Sequence, residues 1–80
     1  MNVERFRGTR IEVNDLKERL EWVMDTYGCV LVADYYDMIG RKYNYTAVDW
    51  GWLSLAEMDI ATTNEIFELI LPNPVRLGID

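Results

Sequence analysis

The fold of this chain is decided by residues 32–55, which open with Val32-Ala-Asp-Tyr-Tyr-Asp-Met-Ile-Gly40 and close with Trp50-Gly-Trp-Leu-Ser-Leu55. They contain four of the five tyrosines and two of the three tryptophans. In the first part, apolar and aromatic residues recur at the i, i+3, i+4, i+7 spacing of one helix face, and Gly40 favours a helix end. The spacing predicts a helix over 32–39 whose inner side, with one tryptophan, joins the core.

A longer helix is predicted before it, from about Asp15 to Tyr27. Asn14 is a favoured N-cap, and Gly28 is typical of the position just past a helix end. The opposite side is mostly acidic, which suits contact with a basic partner, although a solvated helix face has the same pattern. The predicted core stripe comprises Leu16, Leu20, Val23, Met24 and Tyr27.

Two segments at the ends of this helix are less regular. Residues 1–12 are expected to be a flexible or docked arm, because Val3 and Phe6 are almost the only side chains there that can be buried. The short apolar run from Cys29 to Val32 fits either a brief strand or a turn into the second helix, and its length does not separate the two.

The last third of the chain predicts a β-hairpin. Apolar and polar residues alternate over 58–63 and again over 66–71, and Asn64 can adopt the positive φ of a tight turn. Ile66 and Ile70 make the second strand apolar on both sides, so its outer side is either covered by a terminal arm or used for binding. Pro72 and Pro74 end the strand, and 75–79 are expected to fold back over it.

These elements predict a single small α+β domain over residues 1–80. Two short helices precede a two-stranded antiparallel hairpin, an arrangement that is winged-helix-like. Eighty residues support only a thin core, so oligomerisation or a bound partner would add useful stability.

Composition excludes several function classes. A net charge of −6 and a pI near 4.5 argue against binding the phosphate backbone of nucleic acids. With one cysteine and no histidine, the chain cannot form an internal disulfide, a Cys/His zinc site or a Ser-His-Asp triad. Asp34 and Asp37 are three residues apart but lack any sign of the burial that acid-base catalysis needs. We therefore expect no catalytic residues, no metal and no cofactor.

The same residues indicate a location. The segment after Met1 lacks the basic-then-apolar layout of a signal peptide, and no apolar run approaches the roughly 20 residues of a membrane span. A lone cysteine also suits a reducing compartment. A cytoplasmic protein without membrane contact is the expectation.

Three pieces of sequence together carry a family resemblance: Ala33-Asp-Tyr-Tyr-Asp-Met-Ile-Gly40, Trp50-Gly-Trp-x-x-Leu55, and a hairpin closing on Leu71-Pro-x-Pro74. The pattern resembles a small module of tailed-phage and prophage proteins, in which an Ala-Asp-Leu-Tyr-Asp-Leu-Ile/Val-Gly helix precedes a Tyr-Gly-Trp-Thr-Asp-Leu turn and a hairpin. Here Trp50 replaces the usual Tyr, Ser54 replaces the usual Asp, and the hairpin lacks the family's arginines. The resemblance implies a phage origin, a host-cell cytoplasmic location and no established activity.

The expected function is non-enzymatic binding to a host or phage protein, with inhibition of a host nucleic-acid-binding or defence protein as one form of it. The alternative is a virion or assembly component that self-associates into a homo-oligomer. A winged-helix-like DNA-binding module is the third reading, disfavoured because the predicted second helix carries aspartates and no cation. The candidate partner-binding residues are Asp34, Asp37, Tyr43, Tyr45, Trp50, Trp52, Glu18 and Glu21.

Overall fold

A computed structural model describes residues 1–78 and shows an α+β protein with two helices and two three-stranded antiparallel sheets. Within those residues, neither helix combines the length and the apolar character needed to cross a membrane. The elements in chain order are β1 (Phe6–Gly8), α1 (Arg10–Tyr27), β2 (Val30–Leu31), α2 (Val32–Ile39), a 3₁₀ helix (Tyr45–Val48), β3 (Trp50–Trp52), β4 (Asp59–Thr63), β5 (Ile66–Ile70) and β6 (Val75–Arg76).

The first sheet has the strand order β1-β5-β4. The hairpin β4–β5 turns at Asn64 and Glu65, whose φ angles of 50° and 66° define a tight turn with two left-handed residues, so the role predicted for Asn64 is confirmed. The predicted two-stranded sheet has a third strand, because β1 pairs with the other side of β5. The predicted arm over residues 1–12 therefore contains a sheet strand and the first turn of α1.

The outer face of this sheet is partly apolar. Since Leu69 points into the core, Glu68 points outward with Ile66 and Ile70. β1 lies beside β5 and not over it, and Ile66 remains 54% exposed. Arg5 and Arg7 reach Glu68 with nitrogen–oxygen distances of 3.1 and 2.5 Å. The arm thus contributes side-chain ion pairs to this face without covering Ile66.

The second sheet has the strand order β2-β3-β6 and includes the segment that the sequence left open as strand or turn. Val30–Leu31 is a strand, and Val75–Arg76 returns to pair with β3. Gly51 sits in the middle strand, where an added Cβ would collide with the carbonyl oxygen of Val30. Residues 75–79 were expected to fold back over the strand of residues 66–71, but Val75–Arg76 pair instead with β3 in the other sheet. Ile79 lies outside the described residues.

Helix α1 begins five residues earlier than the predicted Asp15. The Thr9 hydroxyl accepts a hydrogen bond from the Glu12 backbone N–H at 3.2 Å, and the Glu12 carboxylate accepts one from the Thr9 N–H at 2.9 Å. This reciprocal capping box satisfies two otherwise unpaired donors, so Asn14 lies inside the helix and is not its cap. The predicted end is confirmed, because Gly28 adopts a left-handed φ of 78°.

Helix α2 matches the predicted span and ends at Gly40. Its fully buried Tyr35 ring meets the Trp52 indole edge to face, with ring centroids 5.9 Å apart and an interplanar angle of 85°. Both rings belong to the buried core. The buried core consists of Val13, Leu16, Leu20, Val30, Val32, Ala33, Tyr35, Ala47, Trp52 and Leu69.

The two adjacent tyrosines of α2 also hold the N-terminal segment. The Tyr35 hydroxyl donates to the Glu4 carbonyl oxygen at 2.6 Å, and the Glu4 N–H donates to the Tyr36 hydroxyl oxygen at 3.2 Å. Arg41 approaches the Glu4 carboxylate at 3.6 Å. Burial raises the pKa of Tyr35 to about 12, which keeps its hydroxyl protonated and able to donate.

Candidate functional site

The outward face of α1 exposes large apolar side chains among charged residues. Ile11, Glu18 and Trp22 fall at i, i+7 and i+11, so they lie along one line on the helix, opposite the core residues. The line is about 16 Å long at 1.5 Å per residue. The side chain of Trp22 is 61% exposed although indole is among the largest apolar groups, and Ile11 is exposed as well. The helix therefore presents apolar area to solvent on its acidic side.

Trp22 is joined there by Tyr27, which the sequence placed in the core stripe. That prediction is wrong, since the Tyr27 side chain is 69% exposed. The reason is its position in the last turn of α1, because Gly28 reverses the chain there and Tyr27 extends beyond the core. The two rings meet edge to face, with centroids 6.2 Å apart and an interplanar angle of 82°. They form one aromatic pair on the surface.

A shallow groove of about 280 Å³ continues from Tyr27 between α1 and α2. Asp34 and Asp37, two of the predicted partner-binding residues, lie on its α2 side. Asp34 also has a structural role, because its carboxylate accepts a hydrogen bond from the Leu31 N–H at 3.1 Å and so caps the start of α2. Asp37 is exposed and has no such bond within residues 1–78. The groove is lined by Arg19, Val23, Tyr27, Asp34, Asp37 and Met38.

The predicted acidic residues of α1 are exposed as expected. Glu21 lies 3.7 Å from the Lys17 ammonium, an exposed i,i+4 pair of the kind that contributes little to stability. Glu18, Asp15 and Asp25 form no ion pair with any of the described residues. Together with Trp22 and Tyr27, these unpaired carboxylates define what we call the α1 face: Ile11, Asp15, Glu18, Trp22, Asp25 and Tyr27.

The predicted aromatic residues of the loop lie apart from the groove. Tyr43 contacts Tyr36 with ring centroids 6.4 Å apart, and Tyr45 is exposed at the start of the 3₁₀ helix. Neither lines the groove that contains Asp34 and Asp37. The sequence named these tyrosines and the aspartates together as binding residues, whereas the structure separates Tyr43 and Tyr45 from the acidic groove.

The two tryptophans of the decisive stretch are core residues to different degrees. Trp52 is 2% exposed, and its indole N–H donates to the Pro72 carbonyl oxygen at 2.6 Å, so its ring is not a surface contact. Trp50 lies on the same side of β3 and is half-buried against the core. The sequence predicted that at least one would be buried, which is confirmed for Trp52.

Sequence reasoning missed Trp22, Ile11 and the exposure of Tyr27. A signal was present, because Ile11 and Trp22 fall on the side of the helical wheel opposite Leu16 and Leu20. Apolar residues in that position face away from the core, and both are largely exposed. We place Trp22 at the centre of the candidate site for this reason.

The described groups whose pKa departs clearly from its ordinary value are Glu12, Tyr35 and Glu68, and none of them belongs to the α1 face. The pKa of Glu12 is lowered by the hydrogen bonds that its carboxylate forms with Thr9, mainly the one from the Thr9 backbone N–H. The pKa of Glu68 is lowered mainly by its hydrogen bond with Arg7. Both shifts have structural causes away from the α1 face. Within residues 1–78, no group of three or more histidine, cysteine or carboxylate side chains is arranged to hold a metal ion.

The comparisons with known proteins identify no relative of this chain. No family model matches the chain. No curated protein and no solved structure is significantly similar to it. The resemblance to a phage module is accordingly neither supported nor refuted and stays a prediction from the sequence.

Proposed function

We propose that the protein is a non-enzymatic binding module that docks its α1 face on a basic surface of another protein. The observation that carries the proposal is the exposed pair of Trp22 and Tyr27, which lies among carboxylates without an ion pair in the described chain. Tryptophan and tyrosine are the residues that most often dominate binding energy at protein interfaces. Their partner would offer an apolar recess for the indole.

The carboxylates of the α1 face indicate the charge of the partner surface. Asp15, Glu18 and Asp25 are spaced along the helix on either side of Trp22. Complementary charge at an interface raises the association rate and the specificity more than the final affinity. The partner surface is therefore expected to carry lysine or arginine around a recess that accepts an aromatic ring.

The phage origin implied by the sequence gives this proposal a setting. A row of carboxylates on a rigid helix presents negative charge as a nucleic-acid backbone does. A host protein whose basic groove normally holds nucleic acid would then be the target, and the module would inhibit it by occupying that groove. A helix that lays one face into a groove of its partner is an established recognition mode.

A winged-helix-like DNA-binding role is the weaker candidate. Reading DNA requires a helix that brings cations and hydrogen-bond donors to the phosphates and bases. Helix α2 carries Asp34 and Asp37 and no lysine or arginine, and the exposed side of α1 is largely acidic. A gel shift with duplex DNA at low salt that shows no complex would remove this role.

Affinity capture from a lysate of the host cell, with the intact chain as bait, tests the proposal. A captured protein should be lost with Trp22→Ala, because the aromatic anchor is removed, and with Glu18→Lys, because a favourable charge becomes a repulsive one. Glu57→Lys is the matched control, since Glu57 makes the same charge change beside a separate groove that includes Trp52 and Pro72.

The kinetics of the purified pair give a second readout. We expect association to slow as salt rises, and to slow in Glu18→Lys more than in Glu57→Lys. A partner that binds Trp22→Ala and Glu18→Lys as well as it binds the intact chain would refute docking through the α1 face. All variants are first compared by circular dichroism, and all three substituted positions are exposed, so folding should be preserved.

A further inference from the structure

The strand β4 has one free edge. In the sheet order β1-β5-β4 it pairs only with β5 among residues 1–78, and its other side meets no strand. An unpaired edge is a template for another strand, and small proteins usually protect such edges. The backbone groups available at this edge can be identified from the hairpin turn.

The tight turn at Asn64 and Glu65 makes Thr63 and Ile66 a hydrogen-bonded pair. Antiparallel pairs alternate between hydrogen-bonded and non-hydrogen-bonded along a ladder. Residues 59, 61 and 63 therefore direct their N–H and C=O groups towards β5, whereas Ile60 and Thr62 direct theirs outward. The free edge offers two donors and two acceptors.

One of the two outward donors is already occupied. The Ile60 N–H donates to the carboxylate of Asp59, its own neighbour in the chain, at 2.8 Å. This bond confirms that the Ile60 N–H is not used in the ladder with β5. It also blunts the edge, because a strand that approaches must first displace the Asp59 carboxylate.

We propose that β4 is a dimerisation edge, on which a second copy of this chain pairs antiparallel about a two-fold axis at Ala61, and that Asp59 weakens this pairing in the monomer. In that register Ile60 and Thr62 of one copy exchange both hydrogen bonds with Thr62 and Ile60 of the other. All four outward groups of each copy are then satisfied, and the two sheets join into one of six strands.

The side chains favour this register over its neighbours. Ala61 faces its own copy across the axis in a non-hydrogen-bonded pair, where Cα atoms approach to about 4.5 Å and a small residue is well suited. Asp59 then lies opposite Thr63 of the other copy. A shift that centres the axis on Thr62 would instead bring Asp59 opposite Glu65, and like charges that face each other across strands are destabilising.

The interface is short, because β4 has five residues, and it falls below the size typical of stable dimers. We therefore expect a weak dimer that forms at high protein concentration. This interface is independent of the α1 face, so either proposal can fail while the other stands.

Sedimentation velocity from about 1 µM to about 1 mM tests the proposal at pH 7. Asp59→Ala frees the Ile60 N–H in both copies, and two hydrogen bonds of ordinary net strength correspond to a roughly tenfold to hundredfold lower dimer Kd. Thr62→Pro removes an outward donor while leaving the ladder to β5 intact, and it should abolish the dimer. Thr62→Val is the matched control and should still dimerise.

A second pair of variants tests the register without altering the backbone. Thr63→Lys places a cation opposite Asp59 of the other copy and should strengthen the dimer, whereas Thr63→Glu should weaken it. Asp59 and Thr63 of one chain are about 13 Å apart along β4, so the two substitutions do not pair internally. The proposal is overturned if Asp59→Ala stays monomeric at about 1 mM, if Thr62→Pro dimerises like the intact chain, or if the two Thr63 variants behave alike.

Discussion

Replacement of Tyr35 by phenylalanine measures how firmly the core holds the N-terminal segment. The substitution keeps the ring and its edge contact with Trp52 but removes the hydroxyl that donates to the Glu4 carbonyl oxygen at 2.6 Å. The loss of a neutral hydrogen bond, with a partly buried acceptor left unpaired, costs about 1–2 kcal/mol of the free energy of unfolding. For a domain of this size, that shifts the Tm by roughly 4–16 °C.

Tyr36→Phe is the matched control in the neighbouring position. Its hydroxyl is only an acceptor for the Glu4 N–H, at the longer distance of 3.2 Å, and the side chain is half-buried. Water can replace that bond, so the expected loss is about 0.5 kcal/mol or less. Each variant loses one hydroxyl group, so the difference between their free energies of unfolding measures the effect of burial at Tyr35.

The pH dependence of Tyr35 has a definite sign. Burial raises its pKa from the ordinary value of 10.0 to about 12, so ionisation is harder in the folded state than in the unfolded state. The corresponding stability is fully present below pH 10 and is lost as the pH rises from 10 to about 12. Over that window the intact chain should lose stability faster than Tyr35→Phe, which has no hydroxyl to ionise.

Urea denaturation, followed by tryptophan fluorescence and far-ultraviolet circular dichroism, measures both effects. The reasoning is refuted if Tyr35→Phe unfolds at the same urea concentration as the intact chain with an unchanged m-value. It is equally refuted if Tyr36→Phe is the more damaging of the two. If the difference in stability between the intact chain and Tyr35→Phe were the same at pH 9 and pH 12, the Tyr35 hydroxyl would not be shielded from water.

Three other substitutions probe separate parts of the fold by urea or thermal unfolding. Gly51→Ala would drive a Cβ into the Val30 carbonyl oxygen, so about 3 kcal/mol or more should be lost, and an unchanged midpoint would contradict the described packing of the second sheet. Thr9→Ala removes the cap of α1 and should cost about 1 kcal/mol, with no loss if the helix starts later. The hydrogen bond with Arg7 lowers the pKa of Glu68, so the stability that this carboxylate contributes is lost as the pH falls through its titration. Glu68→Gln should therefore lose less stability than the intact chain between pH 7 and pH 3. Identical losses of stability in acid would count against the ion pair.

Much of the fold could be predicted from local patterns. The helix over 32–39, the end of α1 at Gly28 and the hairpin turn at Asn64 each depend on residues within one turn of the feature. Strand β1 could not be predicted in this way, because its three residues pair with β5 near the other end of the chain. The strands of the second sheet have two or three residues each, too few for a periodic signal.

The candidate site was predicted less completely. Charge is visible in a sequence, so the exposure of Glu18 and Glu21 was correctly expected. Aromatic residues are ambiguous, because the same side chain suits a core or an interface. Trp50 and Trp52 were both named as candidate binding residues, with at least one of them expected to be buried, but the sequence did not indicate that Trp52 is the enclosed one. Trp22 was overlooked although it is exposed. Only the position of α1 relative to the two sheets decides between those alternatives.

The pairing of β1 with β5 also bears on how the chain folds. Arg7 and Glu68 are neighbours in the first sheet although 61 positions separate them in sequence. Contacts at such separation can form only after a long loop has closed, which slows folding relative to proteins dominated by local contacts. The hairpin β4–β5 and helix α1 can form early, and the attachment of β1 should come late. In hydrogen exchange on the folded protein, the amides of β1 should therefore open before those of β5.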